Sequence, residues 1–286
     1  MSSREVEEED ASPPKKLKCS TTFRISVKLP PSLGHHLNLN IQAVSKCLGS
    51  AVAKRMSVYG WQISLKRPQI EMVANVMNNT TVLIGVPLST KPLSERPYLR
   101  HIPLRSTVAY AVAYSAIFPH HKYEQPAEKV SVIDPMCGAA TILLELVKSF
   151  GAHVEYAVGI DNDESQLEKA SENVNISQEP FISLIRGSVT TASKMLNRWE
   201  FDCLVCDIPF GLKFSTVLSV KESIPLLVQA FHDLLDKRNG RMCLLISYEL
   251  SDELKQALQL QNQFKLICEH SLRLGKLESV LLVYYR

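Results

Sequence analysis

One short segment of the chain combines side chains that could hold a flat heterocycle together with its amino group. Asp207-Ile208-Pro209-Phe210-Gly211 follows the strand-like run 201–206, which is rich in Leu, Val and Cys. The proline stiffens the turn, the ring of Phe210 can stack on a heterocycle, and the carboxylate of Asp207 and nearby carbonyls can accept hydrogen bonds from the amine. We therefore predict that Asp207, Pro209 and Phe210 form a catalytic clamp. Lys213, just beyond it, either contacts a phosphate of the substrate or is an ordinary solvated lysine.

A second such segment ends another apolar run, 73 positions before Asp207. Val130-Ser131-Val132-Ile133 ends at Asp134, and the turn passes through Cys137 and Gly138 into a helix. A glycine there lets the backbone approach a ligand, because a Cβ would occupy the ligand's space. The next apolar run ends at Asp161, where an acid is placed to bind two ribose hydroxyls.

These strand-end residues predict a nucleoside cofactor without phosphates. The sequence has neither a phosphate-binding lysine motif nor a complete GxGxxG segment, so S-adenosylmethionine fits the pattern better than NAD. Ser188, after the third apolar run, is the predicted partner of the adenine base, although an acid is more usual there. Each acid taken singly could instead be a helix cap; three strand-end features in register favour the ligand-binding interpretation.

The elements that position these residues alternate between strands and helices. We predict strands at 130–134, 154–160, 181–186, 201–207 and 241–247 with helices between them, and a terminal hairpin of strands 264–272 and 277–285. Such alternation produces βαβ units and a parallel sheet with helices on both faces. The prediction for residues 99–286 is therefore an α/β, Rossmann-like (class I) methyltransferase fold with a C-terminal β-hairpin, whose ligands bind at the carboxyl ends of the central strands.

Residues 21–98 form a smaller α/β pattern with a different charge. Residues 21–100 hold ten Lys and Arg against two acids, a formal charge of +8, whereas residues 101–286 sum to −4. This asymmetry predicts a polyanion-binding module attached to a catalytic one, with an ordinary solvated surface as the alternative. The residues that we expect to contact RNA are Lys54, Arg55, Lys66 and Arg67.

The remaining features of the sequence concern its tail, its composition and its cysteines. Residues 1–20 are charge-rich and predict a disordered tail, in which the basic stretch 13–18 is either a nuclear-import address or a solubilising segment. The chain is 45% hydrophobic and 21% charged, the profile of a globular protein. Seven cysteines without regular spacing fit a reducing compartment, and we expect Cys203 and Cys206 to be core residues rather than a zinc or redox pair.

Taken together, the motifs resemble those of THUMP-domain RNA guanosine-N(2)-methyltransferases. The pattern of residues 62–86 resembles the C-terminal part of a THUMP domain, and the stretch Leu104–Ala109 with the motifs at Asp134 and Asp207 extends the likeness to the end of the chain. The resemblance implies methylation of guanosine in tRNA or in a spliceosomal small nuclear RNA, in the nucleus or the cytoplasm. It also implies S-adenosylmethionine as cofactor, Thr107 among its ligands, and a small zinc-binding activator (a Trm-one-twelve-like protein) on an apolar edge of the catalytic domain.

The sequence departs from that family in two places. Ala139-Ala140 stands where the family has a glycine at the second position, and the first module is shorter than a complete THUMP domain, so it is expected to be partial. Both departures keep open a non-catalytic RNA-binding or scaffolding homologue. An enzyme of the same fold that methylates adenine or a protein glutamine is a second alternative, against which stand Asp rather than Asn at position 207 and the basic first module.

Overall fold

The computed structural model describes residues 21–30, 33–34, 40–78, 80–89, 91–118, 129–196, 199–208, 220–275 and 277–286. The chain divides into two compact units between Lys91 and Pro92. The first unit contains a four-stranded sheet and the second a seven-stranded sheet. The predicted tail, residues 1–20, lies outside the described residues.

The first unit is a small sheet with one helix. Its strands are β1 (Thr22–Lys28), β2 (Gln62–Ile63), β3 (Ile70–Val76) and β4 (Val82–Gly85), in the order β2-β1-β3-β4. Strand β1 is parallel to β2 and β3, and β4 is antiparallel to β3. Helix α1 (Ile41–Met56) begins at Asn40, whose side chain accepts a hydrogen bond from the Gln42 backbone N–H and caps the helix.

The second unit is built on one mixed sheet. Its strands are β5 (Val130–Asp134), β6 (Val154–Asp161), β7 (Ile182–Arg186), β8 (Cys203–Asp207), β9 (Arg241–Ser247), β10 (Lys265–Leu274) and β11 (Leu277–Tyr285). They lie in the order β10-β11-β9-β8-β5-β6-β7. Strands β5 to β9 are parallel, and the hairpin β10–β11 joins antiparallel to β9. The predicted class I methyltransferase fold with a C-terminal hairpin is confirmed.

Helices cover both faces of this sheet. They are α2 (Ser106–Ile117), α3 (Thr141–Phe150), α4 (Glu164–Ser177), α5 (Val189–Met195), α6 (Val220–Leu234) and α7 (Tyr248–Gln261). Alternate residues of β8 enter different cores: Val205 packs with Leu143 of α3 on one face, and Leu204 packs with Phe231 of α6 on the other. Within the described residues, none of the helices combines the length and the apolar character that a membrane span requires.

Residues 92–105, here called the connector, belong to the second unit. The predicted boundary after residue 98 lies inside it, because Arg96 and Tyr98 both bond to the buried carboxylate of Glu145 in α3. Helix α2 begins at Ser106, directly after the connector. Within the connector, the backbone N–H groups of Arg100 and His101 donate to the side chain of Asn173.

Candidate active site

Three adjacent strands end in acids at the carboxyl edge of the large sheet. Strand β5 lies between β6 and β8, so Asp134 sits between the strand ends that carry Asp161 and Asp207. Asp134 is buried, and burial raises the pKa of its carboxyl well above the ordinary value; the negative charges of Asp207 and then Asp161 raise it further. The structure therefore brings together the three acids that the sequence predicted as site residues.

The loop between β5 and α3, residues 135–140, is held by backbone hydrogen bonds and is here called the cofactor loop. Asp134 Oδ1 accepts a hydrogen bond from the Met136 N–H at 3.1 Å, and the Cys137 N–H donates to the carbonyl of Ile160 at 2.8 Å. The Gly138 N–H donates to Asp161 Oδ2 at 2.9 Å, and Gly138 has a left-handed φ of 53°. A glycine is favoured there because of its backbone conformation.

Ala140 ends the cofactor loop in a conformation that alanine rarely adopts. It lies in the left-handed region with φ 59° and ψ 27°, and it is fully buried directly before α3. A Cβ in this region costs roughly 1–2 kcal/mol. The absence of the family's glycine at this position therefore has a conformational cost, in addition to the methyl group that alanine places near the site.

Asp161, the predicted ribose ligand, also holds the cofactor loop through its hydrogen bond with the Gly138 N–H. Its second oxygen, Oδ1, accepts a hydrogen bond from the Asp163 N–H at 2.9 Å. A carboxylate oxygen can accept more than one hydrogen bond, so acceptor capacity for two hydroxyl groups remains. Its contact with a ribose stays a prediction.

Gly159 is a residue of this region that the motif reasoning missed. A Cβ there would lie 2.9 Å from the Sγ of Cys137 and 3.0 Å from the side chains of Leu143 and Leu184. Cys137 is buried against this glycine, and burial raises the pKa of its thiol, so the thiol is neutral at physiological pH. The Val-Gly-Ile run before Asp161 was the signal that could have identified the close approach.

The hydroxyl groups near the site differ in their exposure, and the contacts of Ser188 and Thr107 with a cofactor stay predictions. Ser188 caps α5, and its Oγ accepts a hydrogen bond from the Thr191 N–H at 3.2 Å. Thr107 is exposed in the first turn of α2, whereas the hydroxyls of Ser106 and Thr141 are buried, and neither has a hydrogen-bond partner among the described residues. These two buried hydroxyls lie at the starts of α2 and α3, and sequence reasoning did not identify them.

The predicted clamp is described only in its first part. Asp207 is partly buried at the end of β8, and Ile208 is fully buried with its N–H donating to the carbonyl of Leu245 at 2.9 Å. The start of the clamp is thus anchored to β9. Pro209, Phe210 and Lys213 lie outside the described residues.

Cys203 and Cys206 are fully buried in β8 and enter different cores, one on each face of the sheet. Two cysteines three positions apart on a strand point to opposite faces, so they cannot share a metal ion or a disulfide. The prediction that they are core residues is confirmed.

The predicted RNA-binding residues of the first unit flank the beginning of β1. Lys54 and Arg55 lie in the last turn of α1, and all four predicted residues are exposed. The carbonyl of Arg67 accepts a hydrogen bond from Thr22 Oγ1 at 3.4 Å. Trp61, just beyond α1, packs on Phe23 with ring centroids 5.9 Å apart. Their contact with RNA stays a prediction.

Known proteins resemble the chain in both sequence and structure. Residues 94–277 match the family model described as UPF0020: RMKL-like, methyltransferase domain. The chain is 32% identical to the U6 snRNA (guanine-N(2))-methyltransferase THUMPD2 of Homo sapiens over 212 residues. This matched segment covers 74% of this chain and 39% of that protein. The same protein of Bos taurus is 34% identical over 235 residues, 82% of this chain and 42% of that protein. The predicted resemblance to THUMP-domain guanosine methyltransferases is confirmed.

Among solved structures, TrmN from Thermus thermophilus is similar with a TM-score of 0.65 and 23% identity, over 93% of this chain and 73% of that chain. At this identity the likeness concerns the fold. The chain spans about two fifths of the length of the curated relatives it matches. The family match runs from the connector to the terminal hairpin and includes all three strand-end acids. The chain therefore belongs to the UPF0020 family of RMKL-like methyltransferase domains.

Proposed function

We propose that this chain catalyses the S-adenosylmethionine-dependent methylation of the 2-amino group of guanosine in a structured RNA. The observation that supports the proposal is that Asp207, the predicted amine acceptor, ends the strand next to the one that ends at Asp134, a predicted cofactor ligand. The relatives named as U6 snRNA (guanine-N(2))-methyltransferases support guanosine as the target. The substrate is a spliceosomal small nuclear RNA or a tRNA.

The charges at the carboxyl edge favour a cationic cofactor. Repulsion among Asp134, Asp161 and Asp207 would be relieved by a positive group and increased by phosphates. S-adenosylmethionine supplies a methyl group on a positively charged sulfonium and carries no phosphate. The residues that we assign to its binding are Asp134, Cys137, Gly138, Asp161, Ser188 and Thr107, with the buried hydroxyls of Ser106 and Thr141 as additional donors.

Asp207 holds the target amine in this proposal. The 2-amino group of guanine is a poor nucleophile because its lone pair is delocalised into the ring. Hydrogen bonds to Asp207 and to a backbone carbonyl near Ile208 draw the nitrogen towards tetrahedral geometry and free that lone pair. Pro209 stiffens the turn, Phe210 stacks on a base flipped out of its helix, and Asp207 accepts the released proton. Positioning supplies most of the rate enhancement.

The first unit and Lys213 would supply the RNA contacts. Lys54 and Arg55, near the end of α1, and Lys66 and Arg67, after β2, are exposed basic side chains, which suit sequence-independent binding to phosphates. The name of the U6 snRNA relatives favours a nuclear location over the cytoplasm.

The partner that we propose for the second unit is the small zinc-binding activator. Among the described strands, β7 pairs with β6 alone, so its outer edge is open to pairing with a strand of another protein. Exposed large apolar side chains stand near β7 in the sequence: Phe181, directly before it, is 51% exposed, Ile176 in α4 46% and Met195 in α5 66%. Phe181→Glu should abolish co-purification with the activator, whereas Leu260→Glu, at an exposed position on α7, should leave it intact. Equal capture of both variants would exclude this edge as the binding site.

The left-handed Ala140 favours one alternative, an RNA-binding homologue that has lost turnover. If the strain of this residue prevents the cofactor loop from closing on its ligand, the protein would not bind S-adenosylhomocysteine. Calorimetry with that ligand separates the two functions, since an active enzyme binds it and the non-catalytic homologue does not.

The proposed activity is tested by single-turnover transfer of labelled methyl to guanosine-containing RNA, with the activator present. The expected product is N(2)-methylguanosine, detected by mass spectrometry of the digested RNA, and the same nucleoside should be lost from the RNA of cells that lack this protein. Methylated adenosine, or an unchanged nucleoside profile in those cells, would overturn the proposal.

A further inference from the structure

The side chain of Asn173, in α4, is completely buried and uses all of its hydrogen-bonding capacity. Its Oδ1 accepts hydrogen bonds from the Arg100 N–H at 2.8 Å and from the His101 N–H at 3.0 Å. Its Nδ2 donates to the carbonyl of His101 at 2.8 Å and to the carbonyl of Ala139 at 2.9 Å. An amide side chain has two donor hydrogens and two acceptor lone pairs, so none is left unused.

Asn173 joins two segments that are 38 positions apart in the chain. Arg100 and His101 belong to the connector, and Ala139 belongs to the cofactor loop. Other side chains of the connector bond to helices of the second unit. Arg96 and Tyr98 bond to Glu145 in α3, and His101 Nε2 lies 2.9 Å from the exposed carboxylate of Glu172 in α4.

The carbonyl that Asn173 holds belongs to the residue directly before the strained one. Ala139 is fully buried, and Ala140 follows it with φ 59°. Without a restraint, an alanine at this position would relax towards an ordinary φ, because the left-handed region is unfavourable for a residue with a Cβ. A buried hydrogen bond to the preceding carbonyl opposes that relaxation, and burial strengthens the bond.

We propose that Asn173 is a positioning residue that keeps the cofactor loop in its binding conformation and ties it to the connector. This inference rests on the proposed use of that loop to bind S-adenosylmethionine. Asn173 acts through the loop backbone, so its removal loosens residues 137–140 and weakens cofactor binding. The connector is the covalent link to the first unit, so Asn173 hydrogen-bonds both to that link and to the cofactor loop.

Asn173→Asp is the sharpest test because it keeps the shape and both acceptor contacts but removes the two donated hydrogen bonds. We expect the Kd of S-adenosylhomocysteine, measured by calorimetry on the full chain, to rise by roughly tenfold or more. Hydrogen–deuterium exchange of the peptide that covers residues 137–142 should rise in the ligand-free protein, while exchange in β9 stays unchanged. Glu172→Gln is the matched control. It loosens the neighbouring His101 contact without reaching the loop, and it should change the Kd by less than about twofold.

Ala140→Gly supplies a rescue that a merely structural role would not show. Glycine adopts the left-handed conformation without strain, so the double variant should recover at least about threefold of the affinity that Asn173→Asp loses. If Asn173→Asp does not fold, the same comparison is made with Asn173→Ala in the Ala140→Gly background. The proposal is wrong if loop exchange and affinity in Asn173→Asp match those of Glu172→Gln, or if exchange rises equally throughout the unit. Because the exchange measurement needs no ligand or RNA, it remains decisive even if guanosine methylation is not found.

Discussion

Strand β8 of the second unit is buried on both faces, whereas strand β4 of the first unit is exposed along its whole length. Leu204 in β8 is fully buried between helices, and Leu83 in β4 is 60% exposed. Helix α1 likewise contains no buried residue, whereas α3 buries seven residues in its ten-residue length. The second unit thus has a deep core, whereas β4 and α1 of the first unit are largely exposed to solvent.

The same contrast extends to charge. The first unit carries its excess of Lys and Arg at exposed positions, where charges are well hydrated and available for phosphates. The second unit places three acids at buried or partly buried strand ends, where the charges of Asp161 and Asp207 raise the pKa of Asp134. Affinity for RNA and chemistry at the amine should therefore respond to different substitutions.

The largest expected effect is on stability, when the same Leu→Ala substitution is made at a buried and at an exposed position. Leu204→Ala should lower the free energy of unfolding of the second unit by about 2–5 kcal/mol, because it leaves a cavity in a packed core, whereas Leu83→Ala should change that of the first by less than about 0.5 kcal/mol. The two tryptophans report on the units separately, since Trp61 lies in the first and Trp199 in the second. Chemical denaturation is followed by tryptophan fluorescence. The Trp199→Phe background then reports on the first unit, and the Trp61→Phe background reports on the second. Equal destabilisation by the two Leu→Ala changes would contradict the comparison.

The next effect concerns the chemical step alone. Asp207→Ala should slow single-turnover methyl transfer by about 100-fold or more, a loss typical of removing a group that stabilises developing charge, while affinities for cofactor and RNA stay near normal. Asp207→Asn should retain a trace of activity, because its amide oxygen still accepts a hydrogen bond but carries no charge. A near-normal rate in Asp207→Ala would overturn the amine-clamp interpretation.

How far the sequence predicted this molecule depended on whether the signal was local. The strand ends at Asp134 and Asp207 were predictable from apolar runs that stop at an acid. The parallel direction of the central strands was predictable from the alternation of strands and helices along the chain. The hydrogen bonds that fix Arg100 and His101 were not predictable, because their acceptor is the side chain of Asn173, far along the chain. The left-handed φ of Ala140 was also not predictable, since a residue with a Cβ gives no local signal of it.

A smaller effect should come from the basic surface of the first unit. Changing Lys54, Arg55, Lys66 and Arg67 together to Ala should weaken RNA binding by about tenfold at physiological salt and flatten its dependence on salt concentration, because fewer counterions are released. The affinity for S-adenosylhomocysteine should not change, since these residues lie in the other unit. RNA affinity that is insensitive to salt in the unmodified protein would argue against an electrostatic role for this surface.

Asp134 should link pH to the stability of the second unit. Burial and the neighbouring acids raise its carboxyl pKa in the folded state. Folding therefore favours the protonated form of Asp134. As pH rises from the pKa of the unfolded state through the pKa of the folded state, the free energy of unfolding decreases. Asp134→Asn removes this titration. The variant should therefore have a higher Tm than the unmodified protein at neutral pH without ligand, and the difference should shrink towards pH 4, while cofactor affinity falls. Parallel Tm curves across this range would show that the buried charge is not destabilising.

The smallest expected effect is a gain rather than a loss, at a position where the second unit is strained despite its deep packing. Ala140→Gly replaces a left-handed alanine with a residue that adopts this conformation freely, which should offset the greater flexibility of glycine in the unfolded chain. We expect the free energy of unfolding to change by no more than about 1 kcal/mol and the affinity for S-adenosylhomocysteine to rise severalfold, because the loop no longer resists its binding conformation. Gly138→Ala is the opposite change: it introduces the same strain two positions earlier, where an added Cβ lies 3.9 Å from the Gln166 side chain and would stand in the predicted ligand space, so it should weaken binding. If Ala140→Gly leaves the affinity unchanged or lowers it, conformational strain at this position does not limit cofactor affinity.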